Sequence, residues 1–263
     1  GKWHLGSVNA LSDVSPGASG FDEWFSSPNY FDLDPLMSNK GRVVRTHGEG
    51  SEVTAEAAIG FIRSCAQSQQ PFLAVVWFGS PHNPHFALDK DRELYADQPK
   101  AVQNYYGEIT AMDRSIGMLR DELRRLSIED NTLFWYTSDN GPQGPLNRNP
   151  PGSSGGLRDR KGTLWEGGIR VPAIIEWPAR ISQRRVTSVA ANTIDIYPTL
   201  LDIVGVDVAR QPKPLDGISI LPLIDGRITE RSQPMGFWAN FSAGQGVRSS
   251  ELLAALEQDQ ASG

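Results

Sequence analysis

The sequence predicts an α/β protein with a largely parallel central sheet flanked by helices. Segments with helical periodicity alternate along the chain with short apolar segments rich in β-branched and aromatic residues. These apolar segments have the length and composition of buried strands. The polar clusters that contain histidine, or adjacent Asp and Asn, directly follow two of them. Because ligands of open α/β sheets bind beyond the carboxyl ends of the strands, this order predicts a functional site at those ends.

The first half of the chain contains a loop region, a helix and a strand in that order. The first fifty residues are rich in Gly, Pro, Ser and Asn, which predicts a long ordered loop rather than regular structure. Apolar residues then recur at helical spacing from a predicted N-cap at Ser51 as far as Pro71. FLAVVWF at 72–78 is predicted to be a buried strand, and GSPHNPH after it a turn.

The second half begins with the clearest helix, predicted over 100–127. Apolar residues occur there at steps of three or four, at Val102, Tyr105, Ile109, Met112, Ile116, Leu119, Leu123 and Leu126. TLFWYTS is predicted to be a strand that ends in DNGP, and a glycine-rich loop follows over 141–160. A third strand is expected near 170–176 and another helix over 192–205.

Composition limits the classes of function. The chain has 263 residues, a hydrophobic fraction of 39% and a net charge of −6, which argues against nucleic-acid binding. No apolar segment approaches the roughly 20 residues of a membrane span. Cys65 is the single cysteine, so an intramolecular disulfide is excluded, and its place in an amphipathic helix predicts a packed core side chain.

GKWHLG at the start of the sequence places a cation and an imidazole close together. Lys2 and His4 lie two residues apart, so their side chains leave an extended backbone on the same face. Such a pair can bind an anion and transfer a proton. The alternative is a half-buried edge strand whose Lys and His face solvent.

SDNGP provides two adjacent oxygen donors, Asp139 and Asn140, at the end of a predicted strand. Carboxylate and amide oxygens are ligands that calcium and magnesium prefer, although a calcium site of about six to eight oxygens needs further donors. Asp-Asn-Gly is also common turn chemistry, so a simple turn is the alternative.

SPHNPH holds His82 and His85 in a turn that Pro81 and Pro84 make rigid. We expect a histidine that acts on a leaving group or binds an anion. A zinc pair is the alternative, but no third ligand motif accompanies these residues.

RDRKGTLWEGG supplies further cations in a loop that enters a strand. Gly162 allows the chain at Lys161 to approach a ligand closely, which favours an anion-binding role for this lysine. Arg158 and Arg160 are interpreted as a solvated basic loop. A metal site with separated cations and imidazoles suits stabilisation of a sulfate or phosphate ester during transfer, yet the sequence offers no evident nucleophile.

The order of these blocks resembles the type I sulfatases of the alkaline phosphatase superfamily. The likeness runs from residue 1 to about 240 and is strongest to bacterial arylsulfatases and N-acetylgalactosamine-6-sulfatase-like enzymes. The blocks that carry it are GKWHLG, GFDEWF, SPHNPH, TSDNGP, KGTLWEGGIRVP, DIYPTLLDIVG and LDGISILPLI. It implies an alkaline-phosphatase-like sandwich and hydrolysis of a sulfate ester, carried by a carbohydrate or an aryl group.

The resemblance also implies roles for individual residues. Lys2 and His4 would bind the sulfate and contact a hydrated formylglycine, and His82 would bind sulfate or assist the leaving group. Lys161 would bridge the sulfate and the leaving-group oxygen. Asp139 and Asn140 would be calcium ligands, with magnesium the less favoured ion.

The chain departs from the family pattern in one respect that matters for activity. The formylglycine motif C/S-x-P-x-R and the paired aspartates expected before GKWHLG do not occur in the sequence. We therefore expect an internal fragment, incomplete at both ends and inactive alone. Residues 1–232 would be a partial catalytic domain and 233–263 the start of a truncated C-terminal subdomain, in a parent protein that the family places in the periplasm or outside the cell.

Two other functions stay open at this point. The chain could belong to a phosphoesterase or phosphonate hydrolase of the same superfamily, because the metal and cation chemistry is shared. It could also be a non-catalytic domain that binds sulfated glycans through Lys2, Lys161 and the other cations of the loop. The natural substrate and the oligomeric state are not predicted by any motif.

Overall fold

The computed structural model describes residues 1–143, 151–211 and 213–238. They form two units, which are described separately: Gly1–Thr132 with Pro151 and Gly152, and the described residues of Leu133–Gln143 and from Ser153 onward. The strands are β1 (Phe25–Ser26), β2 (Leu36–Asn39), β3 (Arg42–Arg45), β4 (Phe134–Thr137) and β5 (Ala173–Glu176). The helices are α1 (Gly50–Gln67), α2 (Asp89–Arg92), α3 (Lys100–Arg125), α4 (Glu166–Ile169), α5 (Ile196–Ile203) and α6 (Leu221–Ile224). Single 3₁₀ turns occur at Glu93–Tyr95, Glu129–Asn131, Thr193–Asp195 and Val208–Arg210.

The first unit begins with a small antiparallel sheet in the order β1-β2-β3. The prediction of a loop without regular structure is therefore wrong for this part. The two-residue turn between β2 and β3 places Lys40 at φ 51° and Gly41 at φ 92°, which is the backbone of a type I′ hairpin turn. Lys-Gly is a weak hairpin signal compared with Asn-Gly, so composition alone did not reveal it.

Helix α1 begins one residue before the predicted cap. The N-cap is Glu49, whose carboxylate accepts hydrogen bonds from the backbone N–H groups of Ser51 and Glu52. Ser51 lies inside the helix and donates its hydroxyl to the same carboxylate. The helix ends before Pro71, as predicted, and Cys65 is a buried free thiol, which confirms the prediction of a packed core side chain.

Helix α3 confirms the prediction over 100–127 to within two residues. Its buried face differs from the predicted apolar stripe, because the small residues Gly107, Ala111 and Ser115 are buried with Leu119 and Leu123. Small side chains let α3 pack closely against α1 and α2. In the part of the chain that the structure describes, no helix is long and apolar enough to cross a membrane.

Residues 72–78 do not form the predicted buried strand. Their exposure alternates along an extended backbone, and Leu73, Val75 and Trp77 are 58%, 39% and 42% exposed. The backbone N–H of Lys2 donates to the Trp77 carbonyl at 2.8 Å. A strand is defined by its ladder, and in the described structure this segment has no ladder partner.

The second unit contains β4 and β5, which pair in antiparallel register from Phe134–Glu176 to Thr137–Ala173. Every ladder among the described strands is antiparallel, so the predicted parallel sheet is not what they form. A parallel pair needs a long crossover, usually a helix, whereas the described part of the β4–β5 connection holds only the single-turn α4. The core of the unit is formed by α6 with partly buried Trp135 and Ile175.

The helix predicted over 192–205 is shorter and has a tight first turn. Thr193–Asp195 is 3₁₀, and α5 continues it to Ile203. Asn192 and Asp195 form a reciprocal capping box, and the buried Asp195 carboxylate also accepts from both Nη atoms of Arg231, at 2.6 and 2.9 Å. The predicted domain boundary at 232 stays a prediction, and most of the predicted subdomain, 239–263, lies outside the described residues.

Candidate functional site

The first four residues lie alongside the segment that begins with β1 and form backbone hydrogen bonds with it. The N–H of Trp3 donates to the Ser27 carbonyl at 2.9 Å, and the N–H of His4 to the Pro28 carbonyl at 3.1 Å. Trp3 is buried, whereas His4 is exposed and Lys2 is half-buried. His4 adopts φ 50°, which lies outside the extended region. The shared face of Lys2 and His4, expected for an extended backbone, therefore stays a prediction.

His82 lies against the same segment. Its imidazole stacks on the Tyr30 ring with centroids 4.8 Å apart and an interplanar angle of 11°. Its Nδ1 lies 2.7 Å from the Asn83 carbonyl oxygen, which is an acceptor only. Nδ1 therefore carries the proton in the neutral ring and Nε2 the lone pair. In this tautomer Nε2 is the ring atom that can accept a proton.

Two buried carboxylates hold the turn that carries His82, one at each end. Glu49 accepts from the Ser80 hydroxyl at 3.2 Å, just before the turn. Glu108 accepts from the Phe86 N–H at 2.6 Å and lies 3.3 Å from Nδ1 of His85, just after it. The turn is thus fixed to the N-terminus of α1 and to the middle of α3.

The electrostatics of these carboxylates follow from burial. Glu49 and Glu108 are 0% and 1% exposed. Burial raises the pKa of Glu108, and hydrogen bonds from His85 and Phe86 oppose the rise. Burial likewise raises the pKa of Glu49, against hydrogen bonds from its own helix and from Ser80. Ionising either carboxylate therefore costs free energy, and the ionised form is stabilised by its hydrogen-bond donors.

His82 and His85 have different surroundings, which does not favour the zinc-pair alternative. The His85 ring contacts the Tyr105 ring edge-on at 5.1 Å and faces Glu108. Within residues 1–143, 151–211 and 213–238, no group of three or more His, Cys, Asp or Glu side chains could hold a metal ion. His85 instead contacts Glu108 at the end of the turn.

In the second unit, Asp139 and Asn140 follow β4 after one intervening residue, Ser138. The Asn140 amide donates to Asp139 Oδ1 at 2.8 Å, so the two side chains lie together. Gly141 then donates to the Gly168 carbonyl at 2.9 Å. A Cβ on Gly141 would lie 1.9 Å from the Gly167 carbonyl oxygen, so only glycine fits at this point.

Lys161 lies beside the same chain reversal. Its N–H donates to the Pro142 carbonyl at 3.0 Å, and Gly162 after it adopts φ 93°. The structure therefore brings Lys161 and the segment of Asp139 and Asn140 together within the second unit. Lys2, His4 and the turn with His82 belong to the first unit.

The donor chemistry at Asp139 and Asn140 fits a hard divalent cation in type but not in number. A carboxylate and an amide oxygen are suitable ligands for calcium. They supply two of the about six to eight oxygens that calcium takes, so a complete site needs donors beyond this pair.

Sequence reasoning missed Tyr30, Glu49 and Glu108. Glu108 gave a usable signal, because it lies three residues after Tyr105 and four before Met112, on the apolar stripe of α3. A charged residue on such a stripe is rarely buried without a partner. Tyr30 gave no signal, since its contact with His82 joins residues far apart in the sequence.

Comparison with known proteins assigns most of the chain to one family. Residues 1–206 match the family model described as Sulfatase. N-acetylgalactosamine-6-sulfatase of Canis lupus familiaris is 30% identical over 261 residues, covering 88% of this chain and 47% of that protein. The ulvan-active sulfatase of Formosa agariphila is 30% identical over 246 residues, covering 85% and 46%. The chain thus spans about half the length of these curated relatives.

The solved structures agree with this assignment. The crystal structure of Ps i-CgsB in complex with k-i-k-neocarrahexaose superposes with a TM-score of 0.76 at 25% identity, covering 86% of this chain and 54% of that one. The α/β fold of the chain is therefore shared with a protein solved in complex with a carbohydrate.

Proposed function

The chain belongs to the sulfatase family, and from this we propose that the full-length protein hydrolyses a sulfate ester carried by a carbohydrate. The observation that carries the proposal is the family match over residues 1–206, which includes every residue proposed for the site. The names of the glycan-directed relatives favour a carbohydrate over an aryl group as the carrier.

The roles proposed for the first-unit residues are those that the family resemblance implies, and the chemistry of these side chains supports them. Lys2 and His4 bind the oxygens of the sulfate group. His82 presents Nε2, because Nδ1 is committed to the Asn83 carbonyl. In its protonated form, His82 donates the proton on Nε2 to the ester oxygen that leaves with the sugar when the S–O bond breaks.

Lys161 bridges the sulfate and the leaving-group oxygen. Negative charge develops on both as the ester S–O bond breaks, and a fixed ammonium lowers the energy of that state. The hydrogen bond from its N–H to Pro142, with the left-handed backbone at Gly162, supports a fixed position for this loop.

Calcium and a formylglycine complete the proposal. Asp139 and Asn140 would hold the cation, which supplies positive charge at the sulfate oxygens. The formylglycine would supply the attacking oxygen, and C/S-x-P-x-R, the motif that yields it, does not occur in these 263 residues. We therefore propose that these residues alone do not turn over a sulfate ester.

The proposal is tested by comparing a sulfate ester and a phosphate ester of the same sugar as substrates of the full-length protein. We expect the sulfate ester to be hydrolysed with the higher kcat/KM. A higher kcat/KM for the phosphate ester would instead place the protein among the phosphoesterases of the superfamily. Tight binding of the sulfated sugar without turnover of either ester would make it a glycan-binding protein.

A further inference from the structure

Arg158 and Trp165 form a stacked pair in the loop that carries Lys161. The Arg158 guanidinium carbon lies 3.5 Å from the centroid of the Trp165 ring, and both residues are exposed. We propose that this pair is a second anion subsite, which binds a sulfate or carboxylate group on a sugar next to the one that is cleaved. This inference rests on the proposed function in taking the group at Lys161 as the reactive sulfate.

The backbone under Arg158 is fixed by close packing. The N–H of Gly167 donates to the Arg158 carbonyl at 2.8 Å. A Cβ on Gly167 would lie 2.0 Å from the Asp159 carbonyl oxygen and 2.6 Å from that of Arg158. Asp159 itself adopts φ 67°, in the left-handed region. A loop held this tightly keeps the backbone of Arg158 in one place, which reduces the entropy lost on binding.

The carboxylates near Arg158 in the sequence are engaged elsewhere. Glu166 accepts from Arg170 at 3.0 Å, and Asp159 accepts from the backbone N–H of Arg160 at 3.0 Å. Among the residues that the structure describes, no carboxylate pairs with the Arg158 guanidinium. When a guanidinium stacks on an aromatic face, its N–H groups point outward in a plane parallel to the ring. In that plane they can donate hydrogen bonds to a sulfate or carboxylate.

The spacing along the chain indicates what the two cations bind together. Arg158 and Lys161 are three residues apart, so their Cα atoms are separated by at most about 11 Å. Long flexible side chains from both positions can reach neighbouring groups of one ligand. The substrate class is therefore an oligosaccharide with at least two anionic groups, rather than a sugar with a single sulfate. Arg158 is exposed, in agreement with its interpretation as a solvated cation, and the stack on Trp165 is a contact that the sequence did not predict.

The test compares two nonhydrolysable ligands of the full-length protein by isothermal titration calorimetry. Both are one disaccharide in which a sulfonate replaces the reactive sulfate ester, and only one of them carries a second sulfate on the neighbouring sugar. We expect Arg158→Gln to weaken binding of the doubly charged ligand by about tenfold or more, as loss of a charged hydrogen-bond pair does. Binding of the singly charged ligand should stay within about twofold, because its contacts do not include Arg158.

Further variants distinguish the effect of the stacked geometry on ligand affinity from the effect of net charge. Arg158→Lys keeps the charge but not the planar fork, and Trp165→Ala removes the stacking face, so both should weaken the doubly charged ligand selectively. Trp165→Phe retains an aromatic face and should keep most of the affinity. Arg184→Gln is the control, because Arg184 is an exposed arginine of the same unit, and it should change neither affinity. Melting temperatures show that each variant is folded.

Two results would overturn the subsite. One is wild-type affinity of Arg158→Gln for the doubly charged ligand. The other is an equal loss for both ligands, which would place Arg158 in the sulfate pocket or reflect only long-range charge. A selective loss in a protein that hydrolyses no sulfate ester would refute the proposed function and leave the subsite intact.

Discussion

The orientation of the His82 ring depends on its contacts with two residues. Tyr30 covers one face of the imidazole, and the Asn83 carbonyl fixes the proton on Nδ1. Stacked aromatic pairs contribute about 0.5–1.5 kcal/mol beyond their buried area, enough to bias a ring orientation. Tyr30 is therefore a positioning residue for the histidine that we propose as proton donor.

Replacing Tyr30 tests this dependence directly. We expect Tyr30→Leu to populate other His82 ring orientations and the second tautomer, whereas Tyr30→Phe keeps the stack and the wild-type state. Imidazole ¹⁵N chemical shifts measure the tautomer, and the chain has only four histidines to assign. The exposed His47 serves as the internal control. An unchanged His82 spectrum in Tyr30→Leu would show that the stack does not orient the ring.

Glu122 makes the stability of the fold depend on pH, and its arginine partners determine the sign of that dependence. Hydrogen bonds from Arg63 and then from Arg125 lower its pKa from 4.5 to about 2. A lowered carboxylate pKa means that the stabilising effect is complete above the unfolded-state value and is lost as pH falls. The network should therefore stabilise the fold at pH 7 and lose its effect between about pH 4.5 and pH 2.

The corresponding measurement is the free energy of unfolding by urea as a function of pH. Glu122→Gln should be less stable than wild type at pH 7, and the difference should shrink as the pH approaches 3. Glu56→Gln, at an exposed position of α1, should show no such trend. A pH-independent difference for Glu122→Gln would mean that packing, not charge, accounts for the loss.

At the scale of elements, the turn after residues 72–78 is held by helices on both of its sides. The N-cap of α1 binds it through Glu49, and α3 binds it through Glu108. A loop would ordinarily be mobile, but two buried carboxylates each require donors that the turn provides. The helices thereby keep His82 in a defined position.

Two substitutions of Glu108 distinguish the effect of its hydrogen bond from the effect of its charge. Glu108→Ala removes the acceptor of the part-buried Phe86 N–H, and with it a hydrogen bond to a carboxylate. It should cost about 2–3 kcal/mol of stability, with a loss of kcat/KM. Glu108→Gln keeps an acceptor for that N–H and avoids a buried charge, so it should retain most of both. Urea unfolding and steady-state kinetics on the full-length protein measure the two effects. Equal losses in the Ala and Gln variants would show that the charge itself is required.

At the scale of the whole molecule, local periodicity predicted the long elements well. Helix α3 and the positions of β4 and β5 follow from patterns within a few neighbouring residues. The antiparallel pairing of β4 and β5 could not be predicted from local patterns. The direction of β5 relative to β4 depends on the connection between the two strands and not on the sequence of either strand. Tyr30 and Glu108 were missed for a related reason, since each acts on the turn at 80–86 through a contact between residues distant in sequence.

The exposed side chains of residues 72–78 affect the behaviour of the isolated chain. Leu73, Val75 and Trp77 lie two residues apart and are all exposed, and among the described residues no strand pairs with this segment in a ladder. An unpaired extended backbone with exposed apolar side chains favours association. We expect the 263-residue chain to self-associate as its concentration rises, and Val75→Lys to reduce this. Sedimentation velocity measures the effect, with Val186→Lys, at an exposed site in the second unit, as control. A wild-type chain that stays monomeric and melts cooperatively would contradict the expectation.

The most direct test of the whole account is the kcat/KM of the full-length protein for a sulfated sugar, measured for His82→Ala and His47→Ala. His82 is the proposed proton donor, so its loss should lower kcat/KM by about 10²–10⁴-fold, the usual contribution of general acid catalysis. His47 is an exposed histidine of the same unit, so its replacement should leave the value within about twofold. A folded His82→Ala variant with wild-type kcat/KM would contradict the account.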